Sequence, residues 1–380
     1  MKILHVGKYY PPEMGGIESV LYECVQGLRR LGHEVDVICA TNDPKLAGFE
    51  MEIGGARIYR YHSYGTCFRT SLAPGLVRKL RQIKDDYDAI SIHMPNPLPV
   101  FGLFGAGHLP PLILHWHADV SNYGFAYKCY SYLERFLLDR CHAVVVATQA
   151  HFTTSPVLSG YPGKIREIPY GITVADLHAS RLARVPILEQ FAGKKIIFAL
   201  GRFVPYKGFN VLIRAAALLP DDHVVIIGGK GPEHEACGRL IEQLGLASKV
   251  KLAGMIPTSE LGAYFQACSV FCLPSVSQAE AFGVVLIEAM SFGKPVLASE
   301  LGNGVDIVVG HGETGLKVPA GDPALLAQSL VSLIDDEERY ARFSLRAKVR
   351  FEKEFTSDIM SQRLADLYQE TLVGGPDSCN

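Results

Sequence analysis

A chain of 380 residues, 48% hydrophobic and 20% charged, is too long for one ordinary core and too apolar to remain unfolded. Its 37 basic and 39 acidic residues give a formal net charge of −2, which excludes a global pull toward nucleic acid. The nine cysteines form no CxxC pair, which argues against a disulfide framework or a zinc ribbon and predicts reduced thiols in a cytoplasmic protein.

The opening stretch, MKILHVGKYYPP, lacks the long apolar core of a signal peptide. No run of about 18 apolar residues suits a membrane span. Ile3–Val6 reads as a buried strand and Gly15–Leu31 as a helix, with further strands at Val35–Ala40, Ala89–Ile92, Leu112–His115 and Ala143–Ala147. Between them, Leu72, Leu76, Leu80, Ile83 and Tyr87 recur at helical spacing, flanked by Arg69, Arg78, Lys79, Arg81 and Lys84. Such a stretch, residues 69–87, can pack on the N-terminal sheet or lie in the headgroup layer of an anionic membrane. Residues 176–193 break the rhythm and read as a linker. It restarts with strands at Lys195–Leu200, His223–Gly228, Val250–Leu252, Val270–Leu273, Pro295–Ala298 and Gly315–Lys317, and a helical tail runs from Asp335 to Leu372. Strand–helix alternation of this kind predicts two α/β units with parallel sheets, which bind ligands at the carboxyl ends of their strands.

Four motifs carry chemistry. In Gly201-Arg202-Phe203-Val204-Pro205-Tyr206-Lys207-Gly208 a strand ends and two cations follow, five residues apart, on a loop leading into a helix. Arginine's planar fork, lysine's point charge and free helix amides together suit a pyrophosphate. In the second motif Glu280 and Glu288 stand eight apart around Phe282-Gly283, and Val284-Val285 open a helix. A carboxylate within that apolar helix needs partners, and a ribose diol offers two. The third is Gly15-Gly16 before the first helix, where a loop can approach a phosphate or sugar closely. No GxGxxG follows the first strand, which counts against a nicotinamide enzyme. The fourth is His115-Trp116-His117-Ala118-Asp119 at a strand end; a zinc reading of His115 and His117 lacks third and fourth ligands. No Asp-x-Asp cluster that would hold Mg²⁺ is read in the chain.

Taken together, these motifs resemble the retaining glycosyltransferases of family 4, over essentially the whole chain; residues 311–323, HGETGLKVPAGDP, also look like that family. The resemblance implies the GT-B architecture, two Rossmann-like domains facing each other across a deep cleft. Residues 1–175 would form the acceptor-side domain, 194–355 the nucleotide-sugar domain, and 356–380 a helix crossing back to the first. Arg202 and Lys207 would neutralise the donor diphosphate, with Gly201 and Gly16 close beneath it. Glu288 would bind the ribose and Glu280 the transferred sugar, helped by Phe282, Gly283, Val284 and Val285. His117 matches a histidine near that sugar, and the base would rest by Gly254, Met255 and Ile256. The family's Gly-Gly-x-Pro-Glu segment is replaced by Gly302-Asn303-Gly304-Val305-Asp306, so Asp306 receives no catalytic role.

The stretch YYPPEMGGIE resembles mannosyltransferases that build bacterial polysaccharides, so GDP-mannose is the first expected donor and a UDP-sugar the next. The expected acceptor is a glycan or lipid-linked glycan of the cell surface, such as lipopolysaccharide, met at the inner face of the plasma membrane. No metal or other cofactor is expected, and no nucleic acid. Rival readings are a phosphorylase or nucleotide-sugar epimerase of the same fold, and a non-catalytic sugar-nucleotide sensor.

Overall fold

The computed structural model describes residues 1–373 except 14, 49, 68–69 and 120–123. The chain forms two units, Met1–Gly171 with Thr356–Asn380, and Ile172–Phe355.

The first unit is built on strands β1 (Lys2–Val6), β2 (Glu34–Thr41), β3 (Glu50–Ile53), β4 (Ala56–His62), β5 (Ala89–Met94), β6 (Leu112–Trp116), β7 (Ala143–Val146) and β8 (Ile165–Glu167). They pair in the order β8-β7-β6-β5-β1-β2-β4-β3, parallel except for the β3–β4 hairpin. Both faces are covered, so β5, β6 and β7 are buried throughout, as continuous apolar strands of a parallel sheet should be. Helix α1 (Gly16–Arg30) turns Val20, Leu21, Cys24, Val25 and Leu28 inward. The C-terminal helix, Ser357–Val373, packs on α1: a methyl group at Gly27 would strike the Ser361 side chain, and Arg30 donates to Ser357 Oγ at 2.9 Å.

The amphipathic stretch resolves in favour of packing. Helix α2 (Pro74–Ile83) buries Leu76, Leu80 and Ile83 in the first core, where Tyr87 joins them. Of the stretch's described cations, Arg78 is exposed and the other three are engaged. Arg81 donates to the carbonyls of Phe101, Gly102 and Phe104, Lys84 to that of His108, and Lys79 lies over the Tyr59 ring. Leu72 precedes the helix and is exposed, and Arg69 lies outside the described residues. The apolar stripe, read as suited to a sheet or a bilayer, lies in the first core. Among the described residues no helix is long and apolar enough to cross a membrane.

The second unit carries β9 (Lys195–Leu200), β10 (His223–Gly228), β11 (Val250–Gly254), β12 (Val270–Leu273), β13 (Val296–Glu300) and β14 (Gly315–Pro319), with helices α3 (Phe209–Ala216) and α4 (Val284–Ser291) following β9 and β12. All its pairs are parallel, in the order β11-β10-β9-β12-β13-β14. This is the doubly wound Rossmann order, and its direction switches between β9 and β12. Residues 176–193 are not a free tether. They form short turns packed into this unit, where Ser180 Oγ accepts from the Gly262 amide at 3.0 Å and Phe191 is buried.

Leu80→Ala should lower the unfolding free energy by about 2–5 kcal/mol, the usual range for truncating a buried leucine. A urea titration checks this; a loss within error would return the α2 stripe to the surface.

Candidate functional site

The switch point of the second unit gathers the two strongest motifs. After β9 the chain passes Gly201 and Arg202 into a short turn, Pro205–Lys207, and Gly208 then caps α3 with a left-handed φ of +65°. Two demands meet at Gly208. Only glycine adopts that φ without strain, and a Cβ there would strike the Pro274 carbonyl. Across the switch, the Val276 amide donates to Tyr206 O at 2.7 Å. The loop after β12 is thereby clipped to the loop after β9.

The clip places Lys207 Nζ 2.5 Å from Glu280 Oε2, with both side chains about 10% exposed. Ser275 Oγ donates to the same carboxylate oxygen at 3.0 Å, and Asn303 Nδ2 holds the Glu280 backbone carbonyl at 2.7 Å. Gly201 makes room for this lysine, since a Cβ there would lie 3.1 Å from Lys207 Cε. Arg202 is exposed, and no side-chain hydrogen bond or ion pair holds it among the described residues.

Gly283, φ +75°, caps α4 with no side-chain hydrogen bond, so no cap meets the first amides of Val284 and Val285. Phe282 is buried. Glu288, one turn along α4, has its Oε2 shut from solvent with no hydrogen-bond partner. Burial pushes its carboxyl up to about 7, against the opposing pull of the Lys207 ammonium. An orphaned buried acceptor near the Lys207 ammonium, on a helix whose first amides have no side-chain cap, is a site for a ligand that brings both hydroxyl donors and negative charge.

Gly254 ends β11 at φ +68°, and its carbonyl accepts from Gly229; Met255 is exposed and Ile256 packs near Gly228. Gly229 and Gly231 approach so closely that a Cβ on either would strike the carbonyl of Gly201 or Phe203. Sequence reasoning passed over these two glycines, Ser275 and Asn303. The Gly-Gly-x-Gly spacing at a strand end was the available signal for the first pair. Asp306 accepts from the amides of Leu301 and Gly302 at 3.1 and 2.7 Å, a loop-holding role.

In the first unit, Gly15 caps α1, and a methyl group at Gly16 would meet nothing within 4 Å. The protein's own packing therefore does not require glycine at 16. His117 follows β6, is 3% exposed, and has both ring nitrogens engaged: Nδ1 with Tyr170 OH at 2.5 Å and Nε2 with His93 Nδ1 at 2.9 Å. His115 groups with His5 and His93, two residues on neighbouring strands that sequence reasoning missed. Asp86-Tyr87-Asp88 has the Asp-x-Asp spacing, which the sequence reading passed over. It lies at the amino ends of the strands, where Asp88 accepts from the Lys2 amide at 2.7 Å.

Known proteins resemble this chain in sequence and in fold. The model of the glycosyl transferases group 1 matches residues 184–350, and that of glycosyltransferase family 4 matches residues 14–176. The chain is 31% identical over 376 residues to the O-antigen chain mannosyltransferase C of Escherichia coli, covering 98% of this chain and 99% of that protein. It is 28% identical to the D-rhamnosyltransferase WbpZ of Pseudomonas aeruginosa, over 94% of this chain and 93% of that one. Its fold is similar to that of a sucrose-phosphate synthase from Thermosynechococcus elongatus, with TM-score 0.79, 22% identity and coverage of 98% and 100%. Anabaena HepE in complex with UDP is similar at TM-score 0.77 and 23% identity, covering 97% and 100%.

The raised Glu288 carboxyl has a stability signature. Its folded value, about 7, lies above the ordinary 4.5, so the folded state binds the proton more tightly. Stability is then lost as pH rises from about 4.5 through 7. Glu288→Gln should stabilise the unliganded protein by about 1–3 kcal/mol at pH 8, the scale of an unsatisfied buried polar group, and by nothing near pH 4.5. Melting curves at the two pH values decide it; an equal effect at both would mean that the carboxylate is solvated or paired.

Proposed function

This chain belongs to the family 4 glycosyltransferases, and we propose that it retains anomeric configuration while moving mannose from GDP-mannose to a glycan or lipid-linked glycan of the cell surface. The observation that carries the donor site is the Lys207–Glu280–Glu288 cluster at the β9/β12 switch point, with its unpartnered Glu288 oxygen. Glu288 takes the ribose hydroxyls. Arg202, together with the protons of Lys207 left over from its ion pair and the Val284 and Val285 amides, takes the diphosphate. Glu280 Oε2 is occupied by Lys207 and Ser275, which leaves Oε1 for a hydroxyl of the transferred sugar. Gly254, Met255 and Ile256 flank the base.

The names of two relatives support this choice of sugar. One is named a mannosyltransferase and another a D-rhamnosyltransferase, and the two sugars share an axial C2 hydroxyl and differ at C6. D-rhamnose is therefore the second reading. A UDP-sugar is the third, since the similar HepE structure holds UDP. Assembly of cell-surface polysaccharide would set the enzyme at the inner face of the plasma membrane.

In the proposed reaction the sugar C1–O bond breaks with its electron pair moving to the donor phosphate oxygen. The acceptor oxygen bonds to C1 on the same face and gives its proton to that departing oxygen. The two cations stabilise the charge that builds on the nucleoside diphosphate, a term that is usually the largest in such catalysis. They supply the charge that a divalent metal supplies elsewhere.

Turnover of GDP-mannose, GDP-D-rhamnose and UDP-glucose by the purified enzyme with a lipid-linked acceptor tests the reading; preference for the uridine donor would sink it. Arg202→Ala should lower kcat about a hundredfold while the protein stays folded. Activity should also persist in EDTA, and a loss restored only by Mg²⁺ or Mn²⁺ would contradict the metal-free mechanism.

A further inference from the structure

The first unit holds a file of buried groups at the carboxyl ends of β6, β5 and β1. Tyr170 OH meets His117 Nδ1 at 2.5 Å, His117 Nε2 meets His93 Nδ1 at 2.9 Å, and His93 Nε2 meets His5 Nδ1 at 3.1 Å. His5 Nε2 lies 3.4 Å from Tyr368 OH on the C-terminal helix, and that hydroxyl bonds Ser91 Oγ. His5, His93 and His117 are at most 3% exposed. Burial, with neighbouring imidazoles adding to it, holds all three well below the ordinary imidazole range, so they are neutral.

A neutral imidazole carries one N–H and one lone pair. Each ring–ring bond needs one of each. If His5 accepts at Nδ1, then His93 must donate from Nε2 and accept at Nδ1, and His117 must do the same. If His5 donates at Nδ1, every ring is reversed. We propose that His5, His93 and His117 form one tautomeric unit, in which Tyr170, His93, His5 and Tyr368 are positioning residues for the ring of His117. No ring of the three can change tautomer alone without breaking a buried hydrogen bond. The unit's effect on rate rests on the family resemblance, which implies that His117 lies near the transferred sugar. The tautomer itself does not depend on that assignment.

A metal is the competing use of these residues, because nitrogens of His5, His93 and His115 lie within 4.8 Å of one another. Two features oppose it. The rings of His93 and His115 stack at 4.4 Å with planes 9° apart, so their in-plane lone pairs run side by side rather than converging. His5 and His93 also spend their facing nitrogens on each other. His115 Nε2 remains buried and unpartnered, outside the file.

Long-range ¹H–¹⁵N correlation spectra of the intact, ¹⁵N-histidine-labelled enzyme test the unit. His5, His93 and His117 should all show the same protonated nitrogen at pH 7. His93→Gln, which retains a donor and an acceptor, should keep the His117 tautomer. His93→Phe should mix it and lower kcat at least tenfold with less change in KM. His115→Phe should leave the shared tautomer in place, whereas a three-histidine metal site would lose its metal. Mixed tautomers among the three wild-type rings, unchanged His117 signals and kcat in folded His93→Phe, or a Co²⁺ absorption band that needs His115 would each overturn the proposal. If the enzyme transfers no sugar from any donor while the spectra show one shared tautomer, the reaction reading fails and the tautomeric unit stands.

Discussion

Burying an ammonium against a carboxylate costs several kcal/mol per ion unless the geometry is fixed and the remaining lone pairs are met. The second unit is organised around meeting that condition for Lys207 and Glu280. Gly208 lets one loop lie on the other, the Tyr206–Val276 bond sets their register, Ser275 fills a carboxylate lone pair, and Asn303 holds the backbone beneath it. Asn303 also caps the short helix Gly304–Val308 by accepting from the Val305 amide, so the same side chain ties that helix to the site. Glu288 is the exception: its charge is buried and left partly unmet, which is what a protein tolerates where a ligand completes the set.

The two units solve one topological problem with opposite electrostatics. In each, parallel strands deliver their carboxyl ends to one edge, and the connection reverses direction beside the first strand. The second unit places formal charges at that edge. The first places aromatic rings there, neutralised by burial and joined ring to ring, with hydroxyls at both ends. The first arrangement binds no net charge of its own; the second is charged and incompletely paired. Among the described residues, six cysteines lie buried and unpaired through both cores, where they act as small apolar groups.

Contiguous motifs were legible in the sequence because their chemistry is local. Lys207 follows its strand by a few residues, and Glu288 sits eight positions from Glu280 on the helix after the next glycine. Apolar runs gave all six strands of the second sheet and five of the eight of the first nearly to their ends, since both faces of a parallel strand are apolar; β3, β4 and β8 were missed. What stayed hidden depends on neighbours far apart in the chain. His5 and His93 are separated by 88 positions, and only the pairing of β1 with β5 makes them adjacent. Asn303 lies 23 residues from the carbonyl it holds. The α2 stripe was ambiguous for another reason: one apolar face satisfies a sheet and a bilayer alike, and only burial separates them.

The chain leaves its first unit after Gly171 and re-enters it at Thr356. At that point the Ile172 amide donates to Phe355 O at 2.9 Å, and Gly171 is pressed so closely on Thr356 that a side chain there would strike its carbonyl. Outgoing and returning strands thus run side by side, and the second unit is, in connectivity, an insertion into the first. Its two ends are adjacent, which is the arrangement that lets a whole domain be added to or lifted from a host without opening either core. The last helix then acts as a clasp. It follows the whole guest in the chain yet covers α1, so that face of α1 stays open until the guest has been synthesised.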